Sequence, residues 1–268
     1  MKFDRGRLIG SGNTAKVYMY GNKAVKVFHE RIHPSYIKKE FNTSQVVSNS
    51  GLCVPAVYEL CDIEGRMAIV LERIEGISLN YLFIKKPINM LSIMKLMAKL
   101  HREMHDVSNL PLPSQKNHLE QLIHNAGVLT HVEKERILLY LEQLPESCQL
   151  CHGDFHPDNI LISEDRPTII DWMDATCGHP AADAARTYIL LKYGGLSEQS
   201  GIIQRLIRRF ISTIYLHDYC SKSLISKEMI KKWILPVAAA RLCEDLEGFE
   251  KRQLHKLVQK LMTKIEEL

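Results

Sequence analysis

The apolar residues of this chain change their period near Gly76. Before that point they alternate, as half-buried strands require. After it they recur every three or four residues, as amphipathic helices require. A chain patterned in this way predicts a small β-rich part followed by a larger helical part. Arg7 to Gly12, Ala15 to Tyr20 and Lys23 to Phe28 read as strands, the last two joined by a turn at Gly21-Asn22. Ala56 to Asp62 and Met67 to Arg73 read as two more, joined at Glu64-Gly65. Between the two groups, Pro34-Ser35 opens a helix that runs through Glu40, Phe41 and Val47. The expectation is a sheet of about five strands with one helix inserted.

Beyond Gly76, the residues Met90, Ile93, Met94, Met97, Leu100 and Met104 predict a helix over 89–106, and residues 131–144 also read as helical. A short β segment interrupts: Ile160-Leu161-Ile162, a turn at 164–166, then Thr168-Ile169-Ile170. After Pro180 the pattern is mostly helix, broken near Gly194-Gly195 and near Gly248. The expected division is an N-terminal lobe of residues 1–74 and a C-terminal lobe of residues 75–268. A crevice between two such lobes is a common place for a ligand.

Several classes are disfavoured by composition. The 268 residues are 46% hydrophobic and 25% charged, which argues against disorder. The net charge of +4 comes from interspersed basic and acidic residues, so neither a nucleic-acid nor a membrane partner is expected. MKFDRGRLIGSG lacks the apolar stretch of a secretion signal, and no apolar run is long enough to span a bilayer. The cytoplasm is the default location and a monomer the default state. Seven scattered cysteines suggest reduced thiols. Cys148 and Cys151 form one C-x-x-C without a second pair, so small apolar residues leading into a loop are favoured over zinc.

Residues 152 to 161 read HGDFHPDNIL, a dense polar cluster that runs into the apolar Ile160-Leu161-Ile162. Phosphoryl transfer needs strict positioning and charge neutralisation rather than covalent help. One carboxylate must orient the attacking hydroxyl, and oxygen ligands must hold a hard cation against the phosphates. Asp154, Asn159 five residues on, and Asp171 after the β segment supply three such groups. Taken alone, Asp154, Asp158 and Asn159 could equally form turns. Three other elements lie upstream. IGSGNTAKVY holds Gly10, Ser11, Gly12 and Val17 at a glycine-loop spacing, where backbone N–H groups can cover phosphates. AVKVF holds Lys26 in mid-strand, and Glu40 follows fourteen residues later in the predicted helix. A helix packed on the sheet brings that pair together. The whole order favours nucleotide-dependent phosphoryl transfer over isolated turns.

Two metal-binding patterns compete with this reading. HERIH at 29–33 matches H-E-x-x-H, but Pro34 follows directly and pushes His33 away from helical geometry. His101 and His105 lie four apart on a predicted helix with no carboxylate at an obvious spacing, so packed structural histidines are expected there.

HGDFHPDN followed by Ile170-Asp171-Trp172 resembles the aminoglycoside phosphotransferase and choline kinase family, which has a protein-kinase-like fold. IGSGNTAKVY, AVKVF, LERIEGISL, LHREMH and IDWMDATCGHPAADAAR extend the resemblance over nearly the whole chain. It departs from protein kinases, having His152-Gly153-Asp154 rather than HRD and no Ala-Pro-Glu segment. Within the family pattern, Ala15 stands where a third glycine is usual. The resemblance implies an α+β bilobal fold: a five-stranded antiparallel lobe with one helix, and a larger, mainly helical lobe. It implies Asp154 as catalytic base, with Asn159 and Asp171 binding Mg²⁺. Lys26, steadied by Glu40, would contact the α- and β-phosphates. Gly10, Ser11, Gly12 and Val17 would cover the nucleotide, ATP or GTP, and backbone groups of Glu72 and Ile74 would hold its base. His152 would support the loop, and His156 or Asp158 would orient it.

The implied activity moves a γ-phosphate to a hydroxyl of a small molecule. Trp172, Asp174, Glu244 and Asp245, with Glu247 and Glu250, suggest an acidic, aromatic pocket for a cationic acceptor such as an aminoglycoside-like or choline-like amino alcohol, with a sugar as the other acceptor class; a solvated acidic helix face explains the same residues. A protein kinase and a non-catalytic nucleotide-binding module are the alternatives. The missing activation-segment motif weighs against the first, and the complete set of Lys26, Asp154, Asn159 and Asp171 against the second.

Overall fold

The computed structural model describes residues 6–164, 166–246 and 248–266. In chain order, Leu8–Ser11 (β1), Ala15–Tyr20 (β2), Lys23–Phe28 (β3), Pro34–Ser48 (α1), Val57–Ile63 (β4) and Arg66–Glu72 (β5) come first. Ile77–Ser78 (β6), Leu79–Lys85 (α2), Met90–His105 (α3), Gln115–Asn125 (α4), His131–Glu142 (α5) and Gln149–Cys151 (β7) follow. Ile160–Ser163 (β8), Arg166–Ile169 (β9) and Thr176–Gly178 (β10) lead into Pro180–Tyr193 (α6), Ile202–Ser221 (α7), Lys227–Arg241 (α8) and Gly248–Glu266 (α9). These elements pack as two compact units, Met1–Ile84 with Pro157–Asp174, and Lys85–His156 with Ala175–Leu268.

The first unit is built on an antiparallel sheet of order β1-β2-β3-β5-β4. The strand alternation read from the sequence sets its two faces. Ala15, Phe28, Ile37 and Ile69 bury one face together with α1, while Val25, Val27, Ala68 and Val70 bury the other. Glu64 and Gly65 both take positive φ, 53° and 79°, which joins β4 to β5 by a two-residue turn of the hand that matches strand twist. α1 begins where Pro34 enters the first turn and the His33 ring accepts the Ser35 N–H. A second, smaller sheet of order β6-β8-β9 belongs to the same unit.

The second unit is helical apart from the short pair β7 and β10. Thr130 and Glu133 close a reciprocal capping box at the start of α5. The His179 ring accepts the Ala181 N–H ahead of Pro180 and so starts α6. Sequence periodicity anticipates β1 to β5, α1, α3, α5, β8 and β9. It misses α2, α4 and the three-residue strands β7 and β10, which exist only through their partners.

Candidate active site

Lys26 lies on the same face of β3 as Phe28, the face that α1 covers. That placement turns its ammonium toward Glu40, which is 3% exposed. Lys26 Nζ donates to Glu40 Oε1 at 2.5 Å and to Asp171 Oδ1 at 3.2 Å. Burial works against the charge on Lys26, but the Asp171 and Glu40 carboxylates outweigh it and raise its pKa above 10.5. Burial likewise pushes the Glu40 carboxyl upward, with Lys26 opposing. Glu40 Oε2 is buried without a hydrogen-bond partner among the described residues. Sequence reasoning missed Tyr36, one turn before Glu40, whose phenol is pushed up to about 12 by burial and by Asp174 and Glu40.

The glycine segment forms the β1–β2 turn, closed by Gly12 N donating to Ala15 O at 2.9 Å. Gly10 pairs with Val17 and Ser11 with Lys16; Val17 pairs in turn with Lys26. Ala15 points into the core against Phe28, so a methyl group there serves packing. The HERIH segment braces this turn. His29 N donates to Thr14 O at 2.9 Å, and Arg31 Nη2 donates to Asn13 O at 2.7 Å. With His33 spent as a helix cap, the helical H-E-x-x-H geometry is not formed. At the end of β5, Glu72 N donates to Ala56 O and Gly76 N donates to Ile74 O.

Asn159 and Asp171 are joined through the backbone of the β8–β9 hairpin, where Ile170 N donates to Asn159 O at 2.9 Å. Asn159 closes a 3₁₀ turn, Pro157–Asn159, and is buried. Asp171 adopts φ 65°, a left-handed conformation uncommon outside glycine, and its side chain is 45% exposed. An amide oxygen and a carboxylate are hard donors of the kind Mg²⁺ takes, so this donor set fits such an ion. Trp172 corrects the sequence expectation. It is buried and its indole N–H donates to Ile169 O at 3.0 Å, so it offers no open face to a cation.

Asp154 belongs to the second unit, since the chain passes from one unit to the other between His156 and Pro157. Its loop is held mainly by α6. Asp183, in the first turn of α6, accepts the His152 N–H at 2.7 Å on Oδ2 and the Gly153 N–H at 2.9 Å on Oδ1. Gly153 takes φ 79°, and Arg186 Nε donates to its carbonyl at 3.0 Å. Thr187 Oγ1 donates to Phe155 O at 2.9 Å. Asp154 Oδ2 lies 3.2 Å from His156 Nε2, and Oδ1 lies 3.8 Å from Arg186 Nη2. Burial disfavours the Asp154 carboxylate, but His156, Arg186 and His152 together hold its pKa well below the usual carboxylate range. It is ionised at every physiological pH.

A buried polar network lies behind this loop. His101 Nε2 is 3.0 Å and His105 Nε2 3.3 Å from Asp183 Oδ2, while Tyr215 and Tyr219 hydroxyls meet the two Nδ1 atoms at 2.6 and 2.7 Å. Burial lowers His101 to about 4, with His105 adding to the effect and Asp183 opposing it. A neutral imidazole therefore donates from Nε2 to Asp183 and accepts from the phenol at Nδ1. Phe155 stacks on His101 with centroids 4.2 Å apart. The sequence suggested no carboxylate partner for His101 and His105; the fold supplies Asp183, 82 and 78 residues away. Asp183 and Arg186 stand in HPAADAAR, a stretch singled out by sequence without a role for either residue.

The expected acidic pocket is rearranged. Glu244 and Asp245 follow the end of α8 rather than sharing a helical face. Glu244 is ion-paired with Arg186 and also with Arg241, the latter at 2.6 Å. The buried Glu250 meets Arg241 at 2.5 Å. Asp245 is exposed, Asp174 is half-buried in the first unit, and Glu247 lies outside the described residues.

A family model described as the phosphotransferase enzyme family (APH) matches residues 5–214. The chain belongs to that family and is a phosphotransferase enzyme. No curated protein sequence matches it. Among solved structures it is similar to a thermostable mutant of aminoglycoside phosphotransferase APH(4)-Ia, at 14% identity and a TM-score of 0.67, covering 94% of this chain and 93% of that one. It is also similar to APH(3'')-Id from Streptomyces rimosus, at 14% identity and a TM-score of 0.59, covering 88% and 93%. A third is the amicoumacin kinase hAmiN, at 12% identity and a TM-score of 0.59, covering 96% and 87%. These likenesses establish the fold: the α+β, protein-kinase-like fold of the aminoglycoside phosphotransferases.

Proposed function

We propose that this enzyme transfers the γ-phosphate of ATP or GTP to a hydroxyl of a small molecule, with residues 1–74 serving the nucleotide and residues 75–268 the acceptor and the catalytic base. The observation that carries the reading is Lys26 Nζ, held between the buried Glu40 and the metal-candidate Asp171 at 2.5 and 3.2 Å. An ammonium fixed beside a carboxylate that can take a hard cation suits a nucleotide's phosphates. Gly10, Ser11, Gly12 and Val17 cover those phosphates in this reading. The Glu72 carbonyl and the Ile74 N–H, which the two backbone bonds at the end of β5 do not use, hold the base. Asn159 and Asp171 are the residues that would hold Mg²⁺, whose chemistry is to neutralise charge on the phosphate oxygens.

Asp154, ionised and oriented by His156 and Arg186, accepts a hydrogen bond from the acceptor hydroxyl and takes its proton as the hydroxyl oxygen bonds to the γ-phosphorus and the bond to the β,γ-bridging oxygen breaks, releasing the nucleoside diphosphate. In this reading the acceptor is related to aminoglycosides or amino alcohols, or is a sugar; two fold neighbours support a small-molecule acceptor. APH(4)-Ia was solved as a ternary complex with AMP-PNP and hygromycin B, and hAmiN with AMP-PNP, Ca²⁺ and Ami. For a cationic acceptor, Asp174 and the exposed Asp245 are the carboxylates to test, since Glu244 is already neutralised by arginines. A Mg²⁺-dependent nucleotide-turnover screen against aminoglycosides, choline, ethanolamine, homoserine, methylthioribose and other sugars tests the reading. Wild type should be stimulated by one acceptor, and Asp154→Asn should lose about 10²–10⁴-fold of that rate. Full activity in Asp154→Asn would sink it.

A further inference from the structure

The N-terminal half of α7 is apolar on the side that faces solvent. Farther along, the opposite side of the helix packs Ile211, Tyr215, Leu216 and Tyr219 into the second unit. Its outer side presents Ile202 and Ile203, each 75% exposed, together with exposed Leu206, Ile207 and Phe210. A helix apolar on both sides is normally covered on both. α3 runs parallel to α7, because His101 meets Tyr215 and His105 meets Tyr219. The starts of both helices therefore lie at the same end of the unit. The start of α3 adds Leu91 and, just before it, Ile88, which is 91% exposed.

The charge along these two stretches is of one sign, with Glu103 and Glu198 just outside them. Residues 76–102 and 199–217 contain no Asp or Glu, although the chain has 31 of them. The exposed cations there are Lys85, Lys86, Lys95, Lys99, Arg205 and Arg209, of which Lys99 pairs with Glu103 at 3.6 Å and Arg205 lies over the Phe249 ring at 4.4 Å. The overall interspersion of charge conceals this segregation.

We propose that this end of the second unit docks on an anionic lipid surface, with the aliphatic side chains entering the interface and the cations meeting the headgroups. Two features favour a bilayer over other occupants. The cations Lys85, Lys86, Lys95 and Arg209, exposed beside the aliphatic stripe of α7 and the start of α3, match anionic headgroups in sign. A second copy would bring like charges together across a symmetric contact. No helix among the described residues is long and apolar enough to cross a membrane, so the contact is superficial.

The test is flotation of the full chain with vesicles of phosphatidylcholine alone and of phosphatidylcholine containing about one-third phosphatidylglycerol. Wild type should partition into the anionic vesicles about tenfold better than into neutral ones, and high salt should remove the difference. Ile203→Asp/Leu206→Asp should abolish binding, and Arg209→Gln/Lys95→Gln should weaken it about tenfold, with unchanged circular dichroism and melting. Should the first pair fail to fold, Ile88→Asp/Leu91→Asp asks the same question on the other helix. Equal binding to both vesicle types, or retention of binding by a folded Asp variant, overturns the proposal. So does light scattering that shows a wild-type dimer made monomeric by Ile203→Asp/Leu206→Asp.

Discussion

Replacing Asp183 by Asn should uncouple the Asp154 loop from the helix that holds it. The carboxylate is fully buried and meets four partners: His152 N at 2.7 Å, Gly153 N at 2.9 Å, His101 Nε2 at 3.0 Å and His105 Nε2 at 3.3 Å. The amide has one oxygen. If that oxygen serves the three donors on the Oδ2 side, the new NH₂ faces the Gly153 N–H, donor against donor. One unsatisfied buried N–H costs about 1–3 kcal/mol, and three bonds losing a charged acceptor cost about 1 kcal/mol each. The sum is about 4–6 kcal/mol, large for a single substitution and typical of a broken buried network. At about 2–4 °C per kcal/mol for a chain of this size, the melting temperature should fall by about 8–24 °C. Calorimetry reads the first effect; steady-state kinetics at a temperature where the variant is folded reads the second. With an acceptor in hand, kcat should drop about 100-fold through misplacement of Asp154, while nucleotide KM stays within about twofold, because Asp183 makes no bond to Lys26, Asn159 or Asp171. A variant that melts within about 2 °C of wild type would refute the hydrogen-bond argument. A variant that loses stability but keeps kcat would refute the claim that the network positions the base.

His101, held near 4 by burial and ordinarily near 6.5, should make the protein less stable as pH falls between those values, because only the unfolded state takes up the proton. The loss is about 3 kcal/mol at most, and urea melts at pH 7 and pH 4.5 should show a smaller difference in His101→Gln. Lys26→Met should reduce kcat/KM for nucleotide by about 100-fold and also destabilise the chain, since it strands the buried Glu40 carboxylate. Glu244→Gln should leave acceptor KM unchanged within about twofold, because Arg186 and Arg241 already occupy that carboxylate; a rise in KM of about tenfold or more would return Glu244 to the acceptor site. Trp172→Phe should cost about 1–3 kcal/mol in stability with no selective effect on acceptor binding, read by melting and by kinetics side by side.

The sequence by itself determined what is local and periodic. Alternation fixes which face of β3 carries Lys26, and Glu64-Gly65 can take the paired positive φ that its turn needs. Pro34 starts α1, and the meeting of Lys26 with Glu40 follows from an amphipathic helix laid on that face. HGDFHPDN and the strand before Asp171 carry the motif by which the chain resembles its family, because Asp154, Asn159 and Asp171 lie close in sequence on one short loop and one hairpin. Only the tertiary structure decided what depends on distant partners. Asp183 reaches His101 and His105 across about eighty residues, and Arg186 bridges the Gly153 carbonyl to Glu244. No period or spacing encodes such pairs. The same limit hid the burial of Trp172 and the neutralisation of Glu244. A side chain's exposure and its ion-pair partners depend on elements that the local pattern does not bring together, and packing alone chooses among the arrangements that the pattern allows.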